Sequence, residues 1–186
     1  MDKQAERAES EAQLAEQLRQ DVEAARRALA QKTSELELQL EIAARVHESM
    51  LPKPVRHERI DVDVRYLPIK AVGGDYCQLR ITEDSRCYIT MCDVTGHGIG
   101  PALLATRVSS EVRHGILSGL APRQIVDALN GFIIEQFQGT EVYLTFIAAR
   151  IDLEERSITY CGAGHPSPLL IRQASGEVLP LESRIP

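Results

Sequence analysis

The sequence has no tryptophan, and aromatic residues make up only 4% of its 186 residues. Hydrophobic residues of all kinds nevertheless reach 44%, so a folded core is available but must be largely aliphatic. No apolar run approaches the roughly 20 residues that a membrane-spanning helix needs. The N-terminus is charged from Asp2 onward, which is unlike a secretory signal. These absences predict a cytoplasmic protein with no membrane insertion.

Excess positive charge and paired cysteines are also missing. The formal net charge is −6, which argues against nucleic acid as a partner. The four cysteines form no C-x-x-C pair, so neither a zinc site nor a disulfide framework is predicted. We expect them to be free core thiols in a reducing compartment, at Cys77, Cys87, Cys92 and Cys161.

Residues 1–50 contain neither glycine nor proline and are rich in residues that favour helices. Small or apolar residues recur there every seven positions, from Ala8 to Met50. A helix of this length cannot bury its apolar stripe against a small domain, so we predict a coiled-coil signalling and dimerisation helix over 1–50, forming a homodimer. Several alternate heptad positions are polar (Glu11, Lys32, Gln39), which leaves a solvated single helix as the other interpretation.

Pro52 and Pro54 end that helix, and residues 51–186 are predicted to form a second domain of α+β class. Helices are expected from Pro101 to Leu117 and from Pro122 onward. Strands and hairpins are expected in the segments Ile60–Tyr66, Cys87–Cys92, Val142–Leu153, Ser157–Cys161 and Ser167–Leu181.

Two acidic residues lie beside glycines in this second domain. Asp93 closes an apolar run and is followed by a glycine-rich turn containing His97, after which Pro101 opens a helix. Asp75 follows a glycine pair eighteen residues earlier. Either motif alone is common in turns. Together, two strand-end aspartates with a nearby histidine indicate a site for a hard divalent metal.

The motifs also occur in a characteristic order: Met50-Leu51-Pro52, Gly73-Gly74-Asp75, Asp93-Val94-Thr95-Gly96-His97-Gly98 and Ala163-Gly164-His165-Pro166. From about Val46 to the end, this series resembles the PPM-type (type 2C) serine/threonine phosphatases of the bacterial SpoIIE/RsbU-like branch. The resemblance implies a β-sandwich flanked by helices, with two Mn²⁺ or Mg²⁺ ions at one edge. It implies that Asp93 bridges the ions, that the carbonyl of Val94 is a ligand, and that Asp75 holds one ion.

The resemblance further implies hydrolysis of phosphoserine or phosphothreonine on a phosphorylated regulatory protein, similar to an anti-sigma-factor antagonist. Such enzymes are outputs of bacterial signalling pathways. His97 is a candidate proton donor because its unperturbed pKa lies near neutrality. His165 is expected to fix its turn beside the site. His47, at a position where relatives often have Gln, is predicted with His57 and His114 to be a surface or packing residue.

The sequence departs from the family pattern in two places. Gln78 stands where a second aspartate usually follows the first motif, which is expected to weaken the negative field. The C-terminal aspartate motifs of the family do not occur before Pro186, so the phosphatase domain is predicted to be incomplete. Two alternatives to a phosphatase therefore stay open: a catalytically inactive pseudophosphatase that acts as a dimeric adaptor, and a coiled-coil scaffold with a globular cap.

Overall fold

A computed structural model describes residues 2–67, 72–139 and 142–182 of the chain. Its helices are α1 (Asp2–Met50), α2 (Ile99–Leu117) and α3 (Pro122–Phe137). Its strands are β1 (Val55–His57), β2 (Ile60–Val62), β3 (Gly73–Ile81), β4 (Arg86–His97), β5 (Leu144–Asp152), β6 (Ser157–Ala163), β7 (Leu169–Ile171) and β8 (Val178–Pro180). The α+β class and the long N-terminal helix predicted from the sequence are confirmed.

The chain divides into two compact units, the first ending at Ile42 and the second beginning at Ala43. Most of α1 lies in the first unit, where the apolar side chains are exposed, including Leu14, Leu18, Val22, Leu29 and Leu36. Ion pairs one turn apart, such as Lys32–Glu35 at 2.7 Å, support the helix. Its last residues, from Ala43, belong to the second unit. No helix among the described residues combines the length and the apolarity needed to cross a bilayer.

The second unit is built on a four-stranded antiparallel sheet in the order β3-β4-β5-β6. Two separate antiparallel hairpins, β1–β2 and β7–β8, accompany it. Along each strand of the sheet, side chains alternate between two faces. This alternation decides which residues enter the core and which surround the candidate site.

One face of the sheet is covered by helices. Helix α2 packs on β3 and β4, and α3 packs on β5 and β6. Pro122 begins α3, and the side-chain oxygen of Gln124 accepts a hydrogen bond of 2.8 Å from the N–H of Ala121, which stabilises the first turn. Aromatic and aliphatic side chains fill the space between sheet and helices, among them Tyr88, Val94, Val108, Ile116, Ile125 and Phe146. The core is therefore mainly aliphatic, as the low aromatic content predicts.

The cysteines follow their prediction as free thiols. Cys87, Cys92 and Cys161 are buried, and Cys77 is half-buried. Burial is the largest cause that raises the pKa of the Cys92 thiol to about 12, with the nearby Asp93 and Asp75 adding to it. Cys92 is therefore a protonated packing residue at neutral pH.

The structure corrects the predicted strand boundaries around both acidic motifs. We expected a strand to end at Cys92 and a turn to follow, but β4 continues through Asp93 to His97. We expected the glycine pair and Asp75 to form a strand-end turn, but they lie at the start of a nine-residue strand, Gly73–Ile81. Strand β4 pairs with both β3 and β5, and this pairing keeps the two glycine-containing segments extended. Local turn preferences do not reveal such pairing.

Candidate metal and catalytic site

Asp75 and Asp93 lie directly opposite each other on neighbouring strands. They are register partners in the β3–β4 ladder, and both side chains are on the sheet face that the helices leave free. Like charges in directly opposed positions destabilise a sheet. The arrangement therefore concentrates negative charge that a bound cation or a proton would relieve.

The electrostatics of Asp75 reflect this proximity. Partial burial raises the pKa of the Asp75 carboxyl, and the charge and hydrogen bonding of Asp93 raise it further. His165 and His47 act in the opposite direction. A carboxylate that is destabilised by a second carboxylate is a good ligand for a divalent cation, because the cation removes the repulsion.

The backbone carbonyl of Val94 lies beside this pair because Gly74 has no side chain. The β3–β4 register shifts between Gly73 and Asp75, so Gly74 sits at an irregularity of the ladder. A Cβ atom at Gly74 would lie 2.5 Å from the carbonyl oxygen of Val94 and 3.1 Å from Cβ of Pro101. Only glycine lets β3, β4 and the start of α2 approach so closely. The three predicted metal ligands, Asp75, Asp93 and Val94, are thus adjacent.

A cavity of about 540 Å³ adjoins the acidic pair. The rest of its wall is largely apolar, contributed by β3, β4 and the segment that follows α1, including Leu51, Val62, Val64, Tyr66, Leu67, Leu79, Ile89 and Met91. The acidic pair and His165 also line the cavity, as do the charged residues Asp63 and Arg65. The site residues therefore lie in the wall of a cavity with a mostly apolar lining and several charged groups.

His165 lies in the wall of the cavity that Asp75 and Asp93 also line. Its Nδ1 is 2.8 Å from Oγ1 of Thr145, and Thr145 is the register partner of Asp93. Burial lowers the pKa of His165, although Asp93 and then Asp75 act to raise it. The expected role of fixing the turn agrees with the Thr145 contact. Its place in the cavity wall depends on the β4–β5 register, for which the sequence gives no local signal.

His97 occupies a different position. It is the last residue of β4 and the register partner of Gly73, and it is not among the residues that line the cavity. Gly98 follows with φ of +100°, which favours glycine, and its N–H donates to the carbonyl of Val72 at 3.2 Å. This turn lets α2 start immediately after the strand.

Gln78 faces away from the acidic pair. It lies three residues beyond Asp75 and hence on the helix-covered side of β3. The hydroxyl of Tyr76 donates a 2.6 Å hydrogen bond to its side-chain oxygen. The pleat thus directs the Gln78 side chain to the face opposite Asp75 and Asp93, and the expected weakening of the field at the metal ligands stays a prediction.

The residues fit part of a divalent-metal site. Two carboxylates and one backbone carbonyl are the oxygen donors that Mg²⁺ and Mn²⁺ prefer. Within residues 2–67, 72–139 and 142–182, however, no group of three or more His, Cys, Asp or Glu side chains is placed to hold a metal ion. The described part of the chain thus offers a partial ligand set.

Comparison with known proteins identifies relatives. Residues 83–186 match the family described as Stage II sporulation protein E (SpoIIE). The chain is 30% identical over 141 residues to the phosphoserine phosphatase RsbP of Bacillus subtilis, covering 74% of this chain and 35% of that protein. It is 26% identical over 151 residues to the phosphoserine phosphatase RsbU of the same organism, covering 81% of this chain and 44% of that protein.

A solved structure, the SiaA-PP2C domain of Pseudomonas aeruginosa, matches with a TM-score of 0.64 at 18% identity, over 81% of this chain and 61% of that chain. This likeness shows a shared PP2C-type fold. The chain spans less than half the length of the two curated relatives, 35% and 44% respectively.

Proposed function

The chain belongs to the SpoIIE family, in the SpoIIE/RsbU branch of the PPM-type phosphatases, and from this premise we propose that it is a metal-dependent protein phosphatase. Its substrate is phosphoserine or phosphothreonine on a regulatory protein similar to an anti-sigma-factor antagonist. The observation that carries the proposal is the opposed pair Asp75 and Asp93 next to the carbonyl of Val94.

In this proposal the three groups hold Mn²⁺ or Mg²⁺, with two ions in the complete domain. When bound, such ions neutralise the phosphoryl charge and lower the pKa of a water molecule. The residues of this chain supply the remaining functions. Asp75 and Asp93 provide negative charge, and Gly74 keeps the Val94 carbonyl accessible beside them. The cavity wall orients the substrate next to these groups.

The proposed proton donor to the leaving serine or threonine oxygen is His97, and His165 is the second imidazole to test because it, unlike His97, lines the cavity beside the acidic pair. A positioned general acid contributes roughly 10²–10⁴-fold to a rate. We expect His97→Ala to lower kcat about 10²-fold and His165→Ala to act mainly through Thr145 and the position of Asp93. If His165→Ala instead abolishes the fall in rate at high pH, where a proton donor becomes deprotonated, the donor is His165.

The long helix is proposed to dimerise as a coiled coil and to connect the phosphatase unit to a bacterial signalling pathway. Leu14, Leu18, Val22, Leu29 and Leu36 are exposed along it, which supports a partner helix. Replacing Val22 and Leu29 with Asp should convert a dimer into a monomer. Sedimentation equilibrium of the full chain measures this.

The test of the activity is Mn²⁺-dependent phosphate release from a phosphoserine protein by the 186-residue chain. Wild type should be active and Asp93→Asn inactive, while Asp127→Asn, an exposed substitution on α3, should retain wild-type activity. Loss of activity in both variants would mean a defect of folding and not of the site.

The second candidate is a pseudophosphatase adaptor. The observation in its favour is the partial ligand set, since no cluster of three side-chain ligands is found in the described ranges. An adaptor predicts no phosphate release by wild type, together with binding of the phosphoprotein that Asp93→Asn leaves intact.

A further inference from the structure

His47 is a buried imidazole at the point where α1 enters the second unit. It lies in the last turn of the helix and is only 4% exposed, although neighbouring Val46 and Glu48 face solvent. Burying a polar ring is unfavourable unless its surroundings compensate. The sequence predicted only a surface or packing residue here, and the structure places this side chain within a specific chain of contacts.

The first contact is with Tyr66. The ring centroids of His47 and Tyr66 are 5.8 Å apart, and the rings are tilted by 44°. Rings at this separation and angle attract each other beyond the burial of their area. Tyr66 is half-buried and forms part of the wall of the cavity that contains Asp75.

Tyr66 also lies close to the start of β3. The Tyr66 hydroxyl oxygen is 3.3 Å from the position that a Cβ atom at Gly73 would occupy. Gly73 precedes Asp75 by two residues and begins the irregular stretch of the ladder. Burial raises the pKa of Tyr66, and the charges of Asp75 and Glu48 raise it further, so the phenol is within electrostatic reach of the carboxylate.

We propose that His47 is a positioning residue that holds Tyr66 against the start of β3 and thereby sets the position of Asp75. The end of α1 is then connected to the candidate metal site through two side chains. The inference rests on the proposed metal-binding role of Asp75. It assigns to this helix end a part in shaping the site in addition to its part in packing.

The experiment measures two properties of His47→Ala in the full chain, with His114→Ala as the matched control because His114 is exposed on α2. In the metal-free protein, amide hydrogen exchange in the peptide 73–81 should accelerate, while exchange in β5 should stay at the wild-type rate. The Kd for Mn²⁺ should increase roughly tenfold, as expected when a residue that supports a metal ligand is removed.

Two further variants separate ring contact from simple packing. His47→Phe keeps an aromatic ring and should leave the Mn²⁺ Kd within about threefold of wild type. Tyr66→Ala should reproduce both effects of His47→Ala, and the double variant should add little, since the residues act in series. If His47→Ala does not fold, Tyr66→Ala decides by the same two measurements.

If residues 73–81 exchange their amide hydrogens at the wild-type rate in both His47→Ala and Tyr66→Ala, this inference is overturned, even if both variants melt at a lower temperature. Because exchange is measured without metal, it decides the inference independently of Mn²⁺. A wild-type chain that binds no Mn²⁺ would instead overturn the proposed metal-dependent activity.

Discussion

The two faces of the four-stranded sheet differ in what they contribute. On the helix-covered face, Tyr88, Val94 and Phe146 are at most 2% exposed and pack in one continuous core. On the other face, Met91 and Ile158 are 46% and 45% exposed, and the acidic pair lies among such residues. The same strands thus use alternate side chains for stability and for the candidate chemistry.

Within the sheet, the backbone of the shared strands joins the core to the site. Val94 is the clearest case, because its side chain is buried under the helices while its carbonyl oxygen lies next to Gly74 beside the acidic pair. Substitutions on the first face should therefore alter stability, and substitutions at the site should alter metal binding with smaller or opposite effects on stability.

The largest expected effect is that of Phe146→Ala on the helix-covered face. Phe146 is 1% exposed, so its removal leaves a cavity that costs about 3–5 kcal/mol of unfolding free energy. Ile158→Ala, on the opposite face, should change the unfolding free energy by no more than about 0.5–1 kcal/mol. Urea denaturation of both variants measures the difference, and equal losses would remove the distinction between the faces.

Gly74→Ala should have an intermediate effect on stability and a strong one on the site. The added methyl group would lie 2.5 Å from the Val94 carbonyl oxygen, so β3 and β4 must separate, at a cost of roughly 1–3 kcal/mol. Binding of Mn²⁺, followed by calorimetry, should be lost.

The control for this substitution is Gly131→Ala in α3. A Cβ atom there has no neighbour within 4 Å, and alanine favours helix over glycine by about 1 kcal/mol. Gly131→Ala should therefore stabilise the protein and leave Mn²⁺ binding unchanged. If both glycine variants bind Mn²⁺ as wild type does, the close approach at Gly74 has no role in the site.

The smallest effect is expected for Asp75→Asn in the metal-free protein, and it has the opposite sign. The folded-state pKa of Asp75 is raised, so the protonated form of this carboxyl stabilises the folded state. That stabilisation is complete below the usual aspartate pKa of about 4 and is lost as the pH rises. At neutral pH the ionised pair destabilises the fold by up to about 1 kcal/mol.

Removing one charge should therefore raise the melting temperature at pH 7 by roughly 1–3 °C. It should also flatten the decline in stability as the pH rises from about 4. Melting curves in chelator-treated buffer between pH 4 and pH 7 test this. A lower melting temperature for Asp75→Asn at pH 7 would show that the pair stabilises the metal-free fold.

The sequence alone predicted the elements whose periodicity is strong. Apolar residues at helical spacing identified α2 and α3, and alternation identified most of β5 and β6. It did not predict β3, because the glycine pair before Asp75 suggested a turn. Cys77, Leu79 and Ile81 alternate along that segment and were the available signal.

The sequence predicted which residues form the candidate site better than it predicted how they are arranged. Family motifs indicated Asp75, Asp93 and Val94, which are adjacent in the structure, but their roles as ligands stay predictions. The positions of His165 and Gln78 depend on strand register and pleat, which no short motif encodes. The burial of His47 depends on a contact with Tyr66, nineteen residues further along the chain.

The most direct test of the account is a calorimetric titration of the chelator-treated chain with Mn²⁺, comparing wild type with Asp93→Asn and Asp127→Asn. We predict saturable binding by wild type and Asp127→Asn, and none by Asp93→Asn, because Asp93 is opposite Asp75 and adjacent to Val94. Equal binding by all three proteins, or no binding by wild type, would contradict the assignment of the acidic pair as a metal site.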